Sequence, residues 1–299
     1  MAGRNYSVYL LTADGLCLLI CEMVANQIGF VRWSRLEVKR MFLADKVIVI
    51  SGVGPGLGRT LALEAADAGA KVVLGARNQE FLASVVADVE AAGGAAVAQG
   101  TDVTSKEQCQ ALVRLGVETF GKIDGLVNSA YVHGDWASMD AANSEKFGEV
   151  FDVICQGAIR MAQACLVPMQ AVGGGSIVNI STLSTVKPFS GEAMYAAAKG
   201  ALNAATRHMA NDFGPLGIRV NALRMGWIGG APVYAYIDQQ VAAGADRDTV
   251  IAGITDRIPL REIPPEVDCA RAVMMFLSDY SRVVSGASLD VNGGEYMAP

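Results

Sequence analysis

The stretch Lys46-Val-Ile-Val-Ile-Ser-Gly-Val-Gly-Pro-Gly-Leu-Gly58 decides the fold of this chain. Its uninterrupted apolar run is typical of a parallel strand that is covered on both faces. The glycines that follow it precede a helical pattern, and residues without a Cβ let the backbone turn tightly and approach a phosphate. A helix N-terminus adds unpaired N–H groups and a favourable dipole. The stretch therefore predicts a strand-turn-helix unit that binds a dinucleotide, with a flexible turn as the alternative.

The residues that would contact the cofactor in this unit are Gly52, Gly54, Gly56, Leu57 and Gly58. A phosphate-binding loop of the nucleotide-hydrolase kind is excluded, because the GxxxxGK[ST] spacing is absent and Arg59 follows the last glycine.

Short β-branched runs alternate with helical patterns from residue 46 onward. Strands are predicted at 46–51, 71–75, 95–99, 123–128, 176–181, 218–223 and 288–291, and helices at 57–68, 79–92, 105–120, 144–170, 194–213 and 265–278. This alternation predicts repeated βαβ units and one α/β domain with a parallel sheet.

One long connection, residues 224–264, interrupts this alternation and contains Trp227, Tyr234 and Tyr236. Loops of this length in a compact domain are usually functional, and ligands of open α/β sheets bind outside the carboxyl ends of the strands. We predict a substrate lid here, with an irregular surface excursion as the alternative.

The first 43 residues differ in character from the rest. They are apolar but contain no uncharged run near the ~18 residues that a membrane-spanning helix needs. The charged residues that interrupt them include Arg4, Asp14, Glu22 and Arg32. A secretory signal is also weakly supported, because the apolar core is short and follows an acidic residue. We predict an N-terminal extension at 1–43 outside the fold, a catalytic domain at 44–299 and no membrane span.

Charge and composition limit the partners. The net charge is −6 and the Lys and Arg residues form no long run, so nucleic acid is not expected as a partner. The six cysteines are scattered, which favours buried thiols in a reducing compartment, the cytoplasm. His133 and His208 are the only histidines, so we predict packing or surface roles for both and no metal site.

Tyr195 and Lys199 lie four residues apart in a helical pattern, which places both on one face of the helix. A phenol with a reference pKa near 10 needs a nearby cation to work as an acid or base at neutral pH. The pair therefore predicts a proton-transfer site. Taken alone, the pattern fits an ordinary surface helix equally well.

The residues after the second and third sheet strands bear on the cofactor. Ala76 stands where a dinucleotide fold often has a carboxylate for the ribose, and Arg77 could pair with a 2′-phosphate. We therefore predict a preference for NADP(H), with NAD(H) possible if Arg77 is an ordinary solvated arginine. Asp102 is suited to bind the adenine amino group, and a plain turn residue is the alternative.

The chain resembles the classical short-chain dehydrogenase/reductase family over roughly residues 44–297. The resemblance is carried by the glycine loop, Tyr195-x-x-x-Lys199, Asn128-Ser129-Ala130, Ile177-Val178-Asn179-Ile180-Ser181-Thr182, Arg219-Val220-Asn221-Ala222 and Leu289-Asp290-Val291-Asn292-Gly293-Gly294. It implies a Rossmann-type, doubly wound sheet of about seven parallel strands, assembled as a homodimer or homotetramer through the fourth and fifth helices.

The same resemblance implies roles for individual residues. Tyr195 is the acid or base, and Lys199 binds the nicotinamide ribose. Thr182 stands thirteen residues before the tyrosine, where the family usually has its catalytic serine, with Ser181 and Ser184 as neighbours. Further cofactor contacts are implied for Val103, Asn128, Ser129, Ala130, Gly226 and Ile228, besides Tyr195 and Lys199 themselves.

Three positions depart from the family pattern. Ile154 stands where the family has an asparagine that holds a proton-relay water. Tyr131 puts a side chain where relatives have glycine beside the cofactor, and Met225 replaces a common proline.

The leading functional hypothesis is an NADP(H)-dependent oxidoreductase that interconverts a hydrophobic secondary alcohol and its ketone by hydride transfer. The candidate substrate contacts are Tyr131, Trp136, Phe189, Trp227 and Tyr234, with Met225 beside them. Two alternatives are a 3-oxoacyl thioester reductase and a catalytically degenerate NADP(H)-binding protein.

Overall fold

The computed structural model describes residues 6–12, 15–21 and 42–298. The chain forms two compact units, Met1–Arg40 and Met41–Pro299. The described part of the first unit is an antiparallel pair of strands, β1 (Tyr6–Thr12) and β2 (Gly15–Cys21). The other residues of the predicted extension up to 41 lie outside the described residues, and its separation from the fold stays a prediction.

The second unit contains a seven-stranded sheet in which every pairing is parallel. Its strands are β3 (Val47–Ser51), β4 (Lys71–Ala76), β5 (Ala95–Gly100), β6 (Gly125–Asn128), β7 (Gly175–Thr182), β8 (Ile218–Met225) and β9 (Ser288–Val291). The spatial order is β5-β4-β3-β6-β7-β8-β9. Strands β4 and β5 are added on one side of β3 and strands β6 to β9 on the other, so the strand order reverses between β3 and β6. Ligands of open α/β sheets bind at such a switch point.

Helices cover both faces of the sheet. They are α1 (Leu57–Asp67), α2 (Gln79–Ala91), α3 (Lys106–Phe120), α4 (Lys146–Phe151), α5 (Gly157–Ala171), α6 (Ala193–Phe213), α7 (Ala231–Ala242), α8 (Arg247–Thr255) and α9 (Glu266–Leu277). Alternate residues of β3 point to opposite faces. Ile48 and Ile50 pack with residues of α1, α2 and α9, while Val47 and Val49 pack with residues of α3, α5 and α6.

The doubly wound α/β fold is confirmed, and each strand of the parallel sheet, β3 to β9, lies within about two residues of its predicted bounds. The predicted helix at 144–170 is α4 and α5 joined by a π-helical segment, Asp152–Gln156. The core also begins earlier than predicted, because Leu43 is fully buried and its N–H donates to the Ala68 carbonyl.

The connection at 224–264 is not an irregular loop, since it contains α7 and α8. These helices pack together through Ile237, Ile254 and Ile258. Each helix buries only one residue fully, Ile237 in α7 and Ile254 in α8. A helix with so narrow a buried face leaves little periodicity in the sequence, which is why the prediction missed both.

Among the described residues, one helical run, Lys146–Ala171, has the length and hydropathy of a membrane span. Its most apolar window is 44% buried within the protein, and core helices share these properties. Met161, Ala162 and Cys165 of this run belong to the core beneath the sheet.

Candidate active site

The predicted cofactor and catalytic residues follow the carboxyl ends of β3 to β8. Strand register brings them to one edge, because Ser51 pairs with Asn128, Asn128 with Asn179, and Thr182 with Met225. The parallel sheet thus assembles segments that are up to 176 residues apart in sequence, the separation of Gly52 and Ile228. This edge is the candidate active site.

The glycine loop joins β3 to α1 and contains two kinds of glycine. Gly52 has a φ of +92°, and a Cβ on it would lie 2.2 Å from the Ala130 nitrogen. A Cβ on Gly58 would lie 2.5 Å from the Gly52 oxygen. Gly54 differs, because a Cβ there would have no atom within 4 Å. Gly52 and Gly58 are therefore required by packing, and Gly54 presents bare backbone to open space.

The N-terminus of α1 fits an anionic ligand. Gly56 is its N-cap, no side chain caps the helix, and its first turn contains no acidic residue. The first N–H groups of a helix have no partner inside the helix. Arg59 is turned to Asp88, with a 2.8 Å ion pair, and so does not occupy this end. The loop residues present fit a dinucleotide pyrophosphate, with one carboxylate nearby, that of Glu266, which accepts from the Thr60 hydroxyl at 2.8 Å.

Arg77 and Asp102 follow neighbouring strands β4 and β5. Arg77 is exposed and has no hydrogen bond or ion pair within the described part of the chain. Hydrogen bonds from the backbone and side chain of Thr104, with smaller help from the charges of Arg77 and Arg160, lower the pKa of Asp102. Asp102 is thus a charged acceptor at the rim, next to buried Val103.

Asn128, the last residue of β6, fixes the position of the segment that follows it, Ser129 and Ala130. Its Nδ2 donates to the Asn179 Oδ1 at 2.9 Å and to the Ala158 carbonyl at 3.3 Å. Asn179 in turn donates to Thr206 of α6 at 2.9 Å. The Ser129 N–H donates to the Ser51 carbonyl at 2.8 Å. These bonds tie β6, β7 and α6 together, and thereby position Ala130 against Gly52.

Tyr195 and Lys199 share one face of α6. The Lys199 Nζ lies 5.7 Å from the centroid of the Tyr195 ring and donates to the Ile180 carbonyl at 2.5 Å. Lys199 is 1% exposed. Thr182 is buried at the end of β7, and its side chain acts on the Tyr195 phenol to lower the phenol's pKa. The structure therefore brings the three predicted catalytic residues together.

Burial dominates the electrostatics of this trio. It lowers the pKa of Lys199 to about 7. Burial also raises the pKa of Tyr195 above its ordinary value, with further contributions from the charges of Tyr131 and Glu192 and an opposing one from the hydrogen bond to Thr182. From the sequence, Lys199 is expected to lower the pKa of the phenol. In the protein alone the desolvation of both groups outweighs that attraction.

An aromatic group surrounds the phenol. The Tyr195 ring lies 4.6 Å from the His133 ring and 6.0 Å from the Tyr131 ring, centroid to centroid. Trp136 lies 4.4 Å beyond His133. Burial, assisted by the Lys199 charge, lowers the pKa of His133. From the sequence, His133 is predicted only to pack or lie at the surface, and its short spacing from Tyr131 is the signal for its place beside the phenol.

The other predicted substrate residues lie elsewhere along the same edge. Phe189 lies beneath Lys187, whose Nζ is 5.9 Å from its ring centroid. Trp227 packs against Tyr236 at 5.8 Å and belongs to the cluster of α7 and α8. Tyr234 is 48% exposed. None of the three has a ring contact with Tyr195 within the described residues.

Gly226 and Ile228 follow β8 and flank Trp227. The Gly226 N–H donates to the Val291 carbonyl at 3.1 Å, and Ile228 packs at the edge of the core. Ile154 lies in the π-helical segment, is 1% exposed and packs with Ala198 and Val150. The position of the family's relay asparagine is therefore dry and apolar in this protein.

A doubly wound sheet with a glycine loop, and with a tyrosine beside a buried lysine at its switch edge, defines a nicotinamide-dependent oxidoreductase. The chain belongs to the classical short-chain dehydrogenase/reductase family, since residues 52–295 match the family model described as enoyl-(acyl carrier protein) reductase. Members of this family act on alcohol and carbonyl groups, and this chain is an oxidoreductase of that kind.

Individual relatives cover nearly the whole second unit. An uncharacterized oxidoreductase of Methylorubrum extorquens is 33% identical, over 84% of this chain and 98% of the relative. A 7alpha-hydroxysteroid dehydrogenase of Clostridium sardiniense is 31% identical, over 84% of this chain and 94% of the relative. The solved structure of NAD⁺-bound xylitol dehydrogenase has a TM-score of 0.78 and 30% identity, covering 84% of this chain and 99% of that one.

Proposed function

We propose that this protein is an NADP(H)-dependent oxidoreductase that interconverts a hydrophobic secondary alcohol and its ketone, with Tyr195 as acid and base. The observation that carries the proposal is the distance of 5.7 Å between the Lys199 Nζ and the Tyr195 ring, with the Thr182 side chain near enough to lower the pKa of the phenol. The phenol, the lysine amine and the threonine hydroxyl thus lie together at this edge of the sheet.

In reduction, the Tyr195 hydroxyl donates its proton to the carbonyl oxygen, and the Thr182 hydroxyl donates a hydrogen bond to the charge that develops there. In oxidation, the phenolate removes the hydroxyl proton. When bound, the nicotinamide cofactor supplies or accepts the hydride, and its oxidised form adds a positive charge that favours phenolate. Lys199 would bind the ribose and hold it against α6.

NADP(H) is supported by Arg77, which is exposed, and by Ala76, which has no carboxylate to repel a 2′-phosphate. A guanidinium suits such a group because it can form two parallel hydrogen bonds to it. NAD(H) stays an alternative, since the similar xylitol dehydrogenase was solved with NAD⁺.

A hydrophobic substrate is supported by the aromatic group at the phenol. Tyr131 is 48% and Trp136 is 65% exposed, so both rings present apolar surface beside Tyr195. Exposed aromatic surface in a cleft suits an alicyclic or steroid-like ring. The name of the Clostridium sardiniense relative agrees with such a substrate, and α7 with α8 would cover it as the predicted lid.

A non-catalytic dinucleotide-binding protein is the second candidate. Buried Ile154 and the raised pKa of Tyr195 favour it, because both oppose proton transfer. Retention of Tyr195, Lys199 and Thr182 in contact favours the enzyme. A 3-oxoacyl thioester reductase has less support, since basic residues near the entrance are few.

The test is a screen with NADPH and NADP⁺ against levodione, xylitol and 7α-hydroxysteroids, substrates taken from the names of relatives. We expect turnover of the alicyclic compounds. Tyr195→Phe should lower kcat by roughly 100-fold or more and leave NADPH affinity within about twofold of wild type. If wild type and Tyr195→Phe both bind the cofactor and neither turns over any substrate, the result supports a non-catalytic dinucleotide-binding protein instead.

The expected assembly of the protein follows from the family resemblance. We expect a homodimer or homotetramer, and the groove between α4 and α6, lined by Phe147, Phe151 and Met194, supports an interface at these helices. Light scattering on the purified protein tests this.

Cytoplasmic location is supported by four buried thiols without disulfides among the described residues, Cys109, Cys155, Cys165 and Cys269.

A further inference from the structure

A chain of hydroxyl groups leads from the catalytic phenol to a carboxylate. Thr182 ends β7, and a short 3₁₀ turn, Leu183–Thr185, places Ser184 beside it. The Thr182 Oγ1 lies 3.2 Å from the Ser184 Oγ. The Ser184 hydroxyl donates to the Glu192 carboxylate, which stands at the N-cap of α6, three residues before Tyr195.

The carboxylate sets the direction of donation along this chain. An ionised carboxylate only accepts hydrogen bonds, so the shared proton belongs to Ser184. The Ser184 oxygen is then free to accept from Thr182, and Thr182 in turn can accept from Tyr195. Thr182 is 8% and Ser184 is 7% exposed, whereas Glu192 is only partly buried. The chain therefore begins in the dry site and ends at solvent.

The route on the other side of the phenol is closed by apolar packing. Lys199 donates to the Ile180 carbonyl, and the nearby helical position that would hold a water is Ile154, 1% exposed among Val150, Ala158 and Ala198. An isoleucine side chain has no donor or acceptor. Tyr195 is itself only partly buried, and this side of its ring therefore offers no hydrogen-bonded route for a proton once substrate and cofactor cover the rest.

We propose that Ser184 and Glu192 form a proton relay that connects Tyr195 to solvent through Thr182. The proposal rests on the proposed function. During oxidation the substrate hydroxyl proton goes to the Tyr195 phenolate. After the ketone has left, the Tyr195 proton passes to Thr182, the Thr182 proton to Ser184 and the Ser184 proton to Glu192, which releases it to water. In reduction the same steps run in reverse, so each hydroxyl ends with one proton.

The other titratable groups around the phenol do not offer an exit. Tyr131 and His133 approach from the loop after β6, and Lys199 approaches from α6 itself. Burial and the Lys199 charge lower the pKa of His133, which makes it a poor proton acceptor, and its Nδ1 is buried without a partner. Tyr131 and Glu192 are the charges that raise the pKa of Tyr195. Among these groups, only Glu192 is linked through a hydroxyl, that of Ser184, to Thr182 beside the phenol.

The experiment measures two events in the first turnover of alcohol oxidation. Stopped-flow absorbance follows NADPH formation, and a pH-indicator dye in weak buffer follows proton release. In wild type we expect the two to proceed together. In Ser184→Ala and Glu192→Gln we expect hydride transfer within about twofold of wild type, but proton release slowed ~10-fold or more. Raising the concentration of imidazole buffer should restore the steady-state rate.

Three comparisons separate the relay from a structural role. Ser184→Thr keeps the hydroxyl and should match wild type, as should Ser190→Ala, which removes an exposed hydroxyl from the same loop. NADPH affinity, measured by fluorescence titration, should be unchanged in all variants. Proton release that keeps pace with hydride transfer in Ser184→Ala overturns the relay, as does a loss of both events without buffer rescue. Absence of any turnover by wild type would instead refute the proposed function.

Discussion

The imidazole of His133 lies against the phenol of Tyr195, with ring centroids 4.6 Å apart and planes inclined by 42°. Trp136 continues the group on the far side of the imidazole. The Tyr195 ring is thus positioned in two ways. Helix α6 carries its backbone, and His133 in the loop after β6 contacts its face. Aromatic pairs contribute about 0.5–1.5 kcal/mol beyond the area they bury.

His133→Phe and His133→Ala separate the shape of this ring from its nitrogens. We expect His133→Phe to retain kcat within about threefold, because a phenyl ring keeps the stack. His133→Ala should lower kcat/KM by up to about tenfold through the lost contact. Since Nδ1 is buried without a partner, His133→Phe should also unfold at an equal or higher urea concentration. Inactivity of His133→Phe beside an active His133→Ala would show that a nitrogen takes part in the reaction.

Gly52→Ala and Gly54→Ala test which glycine serves the fold and which serves the cofactor. A Cβ on Gly52 would lie 2.2 Å from backbone at a φ of +92°, so this variant should lose about 3 kcal/mol or more of stability. Gly54→Ala has open space and should unfold like wild type. Its methyl group should nevertheless weaken NADPH binding about tenfold, as fluorescence titration would detect. Equal NADPH affinity in Gly54→Ala and wild type would show that the pyrophosphate does not bind against Gly54.

Lys199 makes the stability of the cofactor-free protein depend on pH. Its pKa falls from 10.5 to about 7 on folding because of burial. Between these values the unfolded chain holds a proton that the folded protein lacks, so unfolding takes up a proton. Rising pH therefore stabilises the fold, by at most about 1.4 kcal/mol per pH unit. Urea unfolding of wild type and Lys199→Met between about pH 7 and pH 9 measures this, and parallel curves for the two proteins would contradict it.

Arg77→Asp should move cofactor preference toward NAD(H). A charged hydrogen bond contributes about 1.5–3 kcal/mol, so the ratio of kcat/KM for NADPH to that for NADH should fall by roughly 10- to 100-fold. Arg114→Asp makes the same charge change at an exposed site on α3 and should leave the ratio unchanged. An equal shift in both variants would mean that net charge, rather than contact with a 2′-phosphate, is responsible.

The sequence predicted the architecture because its signals are local. Val47 to Ser51 form a strand, the next glycines form a turn, and Tyr195 and Lys199 are four residues apart on a helix; each feature depends on neighbours along the chain. The order of such units predicted a parallel sheet, and a parallel sheet brings the strand ends to one edge. The predicted catalytic trio therefore meets in the structure.

The tertiary structure alone decided what surrounds that trio. The contact of His133 with Tyr195, the burial that lowers the pKa of Lys199, and the link from Ser184 to Glu192 join side chains from different segments. Helices α7 and α8 are also evident only in the structure, where Ile237, Ile254 and Ile258 pack together. Desolvation and side-chain contact depend on distances across the folded protein, and residue type and spacing along the chain do not determine those distances.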